Sequence, residues 1–250
     1  VVLSHAHIDH SGKLPRLVRD GFEGPIFVTP ATRDLADVML ADSAHIQIED
    51  AAYFNKKRAR HGEKAVEPLY TAEDAARAVE LMRPVPYGQR FEVAPGVTAE
   101  YYNAGHMLGS AGVCLTLEKG NGRSVKVVFS GDVGRFGMPI LPDPSPLPEG
   151  DYLLYESTYG GRRTGDAIDV RERFARVLNE TFDRNGKVII PAFAVGRTQT
   201  LLYYYHQLVD SGALNRPAPL YIDSPLAVRA TEVFRRHEEC YDCLLYTSPS

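Results

Sequence analysis

The sequence predicts a soluble α/β protein in two parts, and three observations carry that reading. From Phe91 to Thr158 the apolar residues recur with period two, as successive strands require. Beyond Gly160 strand-like and helix-like stretches alternate, the pattern of parallel strands joined by crossover helices. Near the start, three histidines and an aspartate occupy residues 5–10, directly after the apolar run Val1-Val2-Leu3.

Bulk composition narrows the function classes. The 250 residues are 44% hydrophobic and 24% charged, ordinary values for a globular chain with a proper core. A formal net charge of −4 excludes a protein that coats nucleic acid through a global basic field, though not an enzyme with a local basic groove. No apolar run reaches the length of a membrane span. Three cysteines form no disulfide framework and suit a reducing, cytoplasmic setting; Cys240 and Cys243 make a lone C-x-x-C without a second pair.

In order along the chain, "SGKLPRLVRDGF" sets Leu14, Leu17 and Val18 on one helical face, with Gly21 as a stop. "PIFVT" reads as a short buried strand. "PATRDLADVML" opens with proline in a first turn and spaces Leu35, Val38 and Met39 helically. Residues 48–61 read as a second helix with a basic end, its charge run a solvated face rather than an RNA site. Thr71 and Asp74 form a capping pattern at the head of "TAEDAARAVELM". "FEVAPGVTAEYYNAG", "GVCLTLEKGNGRSVKVVFSGD" and "DYLLYEST" are strands, with Gly120-Asn121-Gly122 as a hairpin turn. Then follow a helix over 169–185, the strand "KVIIPAF", the helix "RTQTLLYYYHQLVDSG", the strand "PLYID" and the helix "PLAVRATEVFRRHEE". The seam lies at "STYGGRRTGD", whose Arg162 and Arg163 read as solvated loop charges in preference to RNA contacts.

The chemistry concentrates in the first part. His5 and His7, two apart, diverge on a helix but share a side of an extended chain, so the pair chelates only at a strand end. Asp9 and His10 follow at the turn into a helix whose N-terminal dipole favours a carboxylate. One metal ion can take the first pair and a second ion the other, and neither set is complete. His106 in the turn "NAGHMLGSAG" and Asp132 just past the strand "VVFSGD" are candidates for completion. Alone, each is an ordinary turn residue; they gain weight because loops at strand ends converge on one sheet edge.

Taken together, "SHAHIDHSG", "AGHMLGS" and "FSGDVGR" resemble the metal-binding motifs of the metallo-β-lactamase superfamily. "LLYESTYGGR", "IPAFAVGRTQTLL" and "YIDSPLA" resemble its β-CASP branch, RNA-processing nucleases that include the endonuclease of pre-mRNA 3′-end cleavage and prokaryotic relatives. The resemblance runs through roughly the first 235 residues.

It implies a metallo-β-lactamase αββα sandwich over residues 1–158, short of its N-terminal strands. An inserted, incomplete Rossmann-like β-CASP domain would cover 159–242, and 243–250 would be a non-native tail. It further implies a zinc-dependent phosphodiesterase, a ribonuclease, in which a hydroxide bridging two metals attacks RNA. His5, His7 and His106 would hold one zinc, Asp9 and His10 the other, and Asp132 would bridge them. Asp9 would also orient the hydroxide, and Glu156 would support a catalytic histidine; glutamate at that position leans toward the pre-mRNA type. Arg197 either binds a substrate phosphate as a bidentate donor or ties two loops together.

Two histidines of the family pattern, one completing the second zinc and one protonating the leaving group, find no match after Asp242. The chain as it stands is therefore expected to be inactive. The expected partners are an RNA substrate, no membrane, and a second copy of the chain or a processing complex. Rival readings are a hydrolase of a small ester or thioester and a non-catalytic scaffold subunit. "AFAVGRTQ" lacks the lysine and spacing of a phosphate-binding P-loop.

Overall fold

A computed structural model describes residues 1–161 and 170–242. Arg162, Arg163, Cys243 and the proposed tail 243–250 lie outside the described residues. The chain divides into two units, Val1–Glu156 with Val233–Ser250, and Ser157–Glu232.

The first unit is built around two sheets. Strand β1 (Ile26–Val28) pairs in parallel with β2 (Met82–Pro84), and Val2 forms a parallel bridge to Phe27 on the other side. The second sheet runs in the order β3 (Phe91–Ala94), β4 (Val97–Asn103), β5 (Ala111–Glu118), β6 (Ser124–Phe129), β7 (Tyr152–Leu154). Its pairings are antiparallel except β6 with β7. Ala99, Tyr101, Ala111 and Val113 of the larger sheet pack with Val2 and Phe27 of the smaller one, which gives the sandwich its shared core. The backbones are stitched as well: the Ala111 N–H donates to the Ser4 carbonyl at 2.8 Å, and the Leu3 N–H to that of Phe27 at 3.0 Å.

Helices α1 (Ile8–Ser11), α2 (Leu14–Arg19), α3 (Pro30–Ala59) and α4 (Ala72–Glu80) belong to the same unit. Thr29 caps α3, accepting from the Thr32 N–H at 3.2 Å with Pro30 at the first position. The two helices expected over 30–61 are one continuous helix of 30 residues. Buried Leu35, Ala36, Met39, Leu40, Ala44 and Ala51 carry one apolar stripe along most of that length. The Thr71/Asp74 capping box forms in full. Leu14 and Val18 are buried as expected, whereas Leu17 faces solvent, because α2 spans only six residues and its covered stripe is narrow. The Gly120–Gly122 turn joins β5 to β6, all three of its residues having positive φ. Strand β2 had no counterpart in the periodicity: three residues ending in proline carry too short a pattern.

The C-terminal residues return to this unit. Val233 and Phe234 are buried; His237 sits between the carboxylates of Asp34 (3.0 Å) and Glu239 (2.7 Å), and the Asp242 N–H donates to the Ile140 carbonyl at 2.8 Å.

The second unit holds α5 (Val170–Asp183), α6 (Arg197–Asp210) and the start of α7 (Pro225–Arg236). Leu178, Leu208 and Leu214 form its apolar cluster, with Tyr205 packed against it. The helices fall where the periodicity places them. The strands expected at 187–193 and 219–223 do not form among the described residues, and Ile189, Phe193 and Tyr221 are largely exposed. An apolar run becomes a strand only when a neighbour takes up its N–H and C=O groups, and neither run has one here.

One glycine is fixed by close approach. A Cβ on Gly134 would lie 1.8 Å from the Gly105 carbonyl oxygen, while the Gly134 N–H donates to the Ala104 carbonyl at 2.8 Å. Gly134→Ala must therefore part the two loops, and a loss of about 2 kcal/mol or more in unfolding free energy is expected in urea titration. A variant of unchanged stability would show that the loops are not in contact.

Candidate metal centre

His5, His7, His106 and Asp132 reach the centre from segments at strand ends, and Asp9 and His10 from α1. His5 follows the Val1–Leu3 segment, whose pairing to β1 fixes its direction, and His7 is the extended residue that precedes α1. Their rings, 5.0 Å apart, lie on the same side of the chain, as two-residue spacing in extended backbone demands. His106 lies in the β4–β5 loop, where the Ser110 hydroxyl accepts from the N–H groups of His106 (3.0 Å) and Met107 (3.1 Å). Behind it, the hydroxyls of Thr29 and Thr32 donate to the Gly109 carbonyl at 2.7 and 2.8 Å, anchoring the loop on the head of α3. Asp132 follows β6. The preceding Gly131 has φ +58°, and a Cβ there would meet the Ala111 carbonyl oxygen at 2.7 Å, so only glycine fits.

His5, His7, His106 and Asp132 converge, each offering one ligand atom, with all four atoms within 4.8 Å of one another. His106 Nε2 lies 3.1 Å from His7 Nδ1 and 3.6 Å from Asp132 Oδ2, and His5 Nε2 lies 3.8 Å from Asp132 Oδ2. Ligands about 2.0–2.1 Å from a tetrahedral zinc stand roughly 3.3 Å apart, so the set is close to that spacing. The other carboxylate oxygen, Asp132 Oδ1, faces His10 Nε2 at 3.4 Å, and His10 Nε2 is 3.6 Å from Asp9 Oδ2. Asp132 thus presents one oxygen to each of two groups of ligand-type residues. Asp9 is the most open of the six, its side chain 79% exposed.

The donor set fits a divalent metal ion by a second criterion. The His5 ring is wholly buried; its Nδ1 is 3.1 Å from the Ser4 hydroxyl, and its Nε2 has no hydrogen-bond partner. An orphaned buried polar atom costs about 1–3 kcal/mol, which metal coordination would offset. The electrostatics agree. Burial, then the rings of His10, His7 and His106, pushes His5 down to about 2. Burial lowers His7, with His106 adding to it, and burial lowers His106 against the opposing pull of Asp132 and Glu156. All three are neutral bases at neutral pH, the form that binds metal.

Glu156, just after β7, is near this centre. Its Oε1 accepts from the Val133 N–H at 2.6 Å and its own N–H donates to the Ser130 hydroxyl at 3.0 Å, so it braces the loop that carries Asp132. Arg197 belongs to the second unit, where it is the first residue of α6. His45 and His206 are exposed and paired with Glu49 and Asp210. The sequence reading passed over Ser4, Ser110 and Ser130, which hold His5, the His106 loop and the Glu156 backbone. The only signal was a serine within four residues of each metal motif.

Residues 198–247 match the Beta-Casp domain family. The chain is 36% identical over 236 residues to ribonuclease TTHA0252 of Thermus thermophilus, covering 94% of this chain and 48% of that protein. It is 34% identical over 229 residues to transcription termination factor FttA of Methanocaldococcus jannaschii (89% and 33% of the two chains). FttA of Methanosarcina mazei is 30% identical over 243 residues (96% and 35%). The chain spans about half or less of the length of these curated relatives.

The lowered histidines set a pH dependence. Below the ordinary histidine pKa of about 6.5 the unfolded chain takes up protons that the folded chain refuses. In the metal-free protein, stability is therefore complete above about pH 6.5 and falls as pH drops toward the folded values, by about 1.4 kcal/mol per pH unit from His5, with His7 and His106 adding in the same direction. Urea unfolding at pH 7, 6 and 5 is expected to show this slope, and His7→Gln to make it shallower. A flat profile in that window would contradict the buried, uncharged cluster.

Proposed function

We propose, for a chain that resembles the β-CASP branch of the metallo-β-lactamase superfamily, that the complete protein is a zinc-dependent nuclease that hydrolyses RNA. The observation that carries this reading is the two-sided position of Asp132, Oδ2 toward His5 and His106 and Oδ1 toward His10. A carboxylate so placed suits two metal ions, and the names of the relatives, a ribonuclease and transcription termination factors, favour RNA over a small thioester.

His5, His7 and His106 with Asp132 Oδ2 would hold one ion, and His10 and Asp9 with Asp132 Oδ1 the other. When bound, such ions lower the pKa of water and stabilise the charge that builds up on a phosphodiester in an in-line displacement. The chain's own residues supply position and protonation state. Burial keeps the three histidines uncharged, Ser4 holds the ring of His5, and Glu156 fixes the Asp132 loop through the Val133 N–H. In the same reading Glu156 supports a proton-donating histidine, Asp9 orients the nucleophile and Arg197 contacts substrate phosphate. The domain boundary at residue 158, a cytoplasmic location and assembly as a homodimer or in a processing complex belong to this proposal too. No helix among the described residues is long and apolar enough to cross a membrane.

The test is cleavage of single-stranded RNA by the complete protein, beside a thioester substrate and with or without a chelator. Chelator-sensitive RNA cleavage without thioester hydrolysis is expected. His106→Ala should lower RNA cleavage more than about 100-fold, since even partners one shell beyond a metal ligand cost about 10–100-fold. Its circular dichroism should be unchanged, because His106 sits in a loop. Near-normal cleavage by that variant, or turnover of the thioester alone, would overturn the assignment.

A further inference from the structure

The sequence reads the basic end of α3 as a solvated face, but the structure builds a cavity there. It measures about 320 Å³ and is lined by Phe54, Lys57, Arg58, His61, Glu63 and Val66. One wall is the last turns of α3 and the other the chain that follows, and the two are clasped. The Asn55 side chain donates to the Val66 carbonyl at 2.9 Å and accepts the Val66 N–H at 2.7 Å. Arg58 donates to the Lys64 carbonyl at 2.6 Å and pairs with Glu63 at 3.1 Å. The two walls of the cavity are thus held by the protein's own bonds, so a ligand has only side chains, and no backbone, to order.

Its chemistry is that of a nucleotide subsite. Residues 54–66 carry five lysines and arginines against one carboxylate, in a chain of net charge −4. Glu63 is engaged by Arg58, while Lys57 has no ion-pair partner among the described residues. Phe54 is half exposed at the rim, with Tyr53 edge-on to it at 5.7 Å. A free cation beside an exposed ring matches the phosphate and the base of one nucleotide.

Position adds a second argument. The head of α3 is bonded to the His106 loop through Thr29 and Thr32, and Phe54 lies 25 residues beyond Thr29 on the same unbroken helix. At 1.5 Å per residue that is about 37 Å, the length of roughly 11 stacked nucleotides. We propose that this cavity is a distal subsite for single-stranded RNA, stacking a base on Phe54 and pairing a phosphate with Lys57, so that long substrates are held at both ends of α3. The inference rests on the RNA reading of the metal centre.

The experiment measures kcat and KM of the complete protein on RNAs of about 20 and about 5 nucleotides, the shorter being unable to span α3. Phe54→Ala and Lys57→Gln are each expected to raise KM for the long RNA roughly five- to tenfold. They should leave its kcat and both constants for the short RNA unchanged. Lys57→Gln should also make the logarithmic salt dependence of long-RNA binding shallower by about 0.7, the share of one phosphate. Both residues are exposed and outside the centre, so thermal unfolding of the variants should match the parent. If the parent cleaves RNA and both variants keep its KM for the long substrate, or lose as much on the short one, the subsite is wrong and the metal-centre reading stands. If the parent neither binds nor cleaves RNA, both fall.

Discussion

A wholly buried imidazole with one unpartnered nitrogen, that of His5, is the constraint around which the first unit is arranged. Nothing in the folding of a sandwich demands a histidine there, and an apolar residue would cost less. The chain holds it in place from both sides. The Ser4 hydroxyl takes one ring nitrogen, and the Ser4 carbonyl accepts from Ala111 on the opposite sheet, so the residue that holds the ring is itself fixed to both sheets. The energy spent on that arrangement makes sense if the free nitrogen has an occupant that brings its own binding energy.

The remaining ligands owe their positions to loops locked to one another. The His106 loop is anchored on α3 through Gly109 and pressed against the Asp132 loop at the Gly105–Gly134 contact. The Asp132 loop in turn is braced by Glu156 and Ser130. Three strand ends and one helix head therefore converge, with little freedom left in His5, His106 or Asp132, while Asp9 stays open to solvent. Pre-organisation of this kind lets a site bind ions without first ordering itself.

Much of this was legible in the residues, for identifiable reasons. Two-residue spacing after an apolar run places His5 and His7 on one side because strand geometry leaves no alternative. The capping box at Thr71 and the glycine turn at 120–122 are local chemistry, so sequence suffices for them. What depends on partners was not legible. The runs at 187–193 and 219–223 have strand composition but no neighbour to pair with among the described residues. The helix over 30–59 looked like two because its middle stretch, His45 to Asp50, buries no residue and puts Ile46 and Ile48 out toward solvent, which interrupts the apolar period. The two-sided orientation of Asp132 follows from the positive φ of Gly131 and from the brace that Glu156 and Ser130 give its loop, residues too far apart for one stretch to encode. Likewise, the basic end of α3 looked like solvated charge until the clasp by Asn55 and Arg58 supplied a second wall.

The central claim is that Asp132 joins two ion sites, and metal stoichiometry tests it most directly. Elemental analysis of the complete protein, purified with zinc and freed of excess, is predicted to give two ions per chain. Asp132→Ala should hold no more than one, because the three histidines of the first set survive while the shared carboxylate is lost. Only trace metal in the parent, or two ions retained in the variant, would contradict the account.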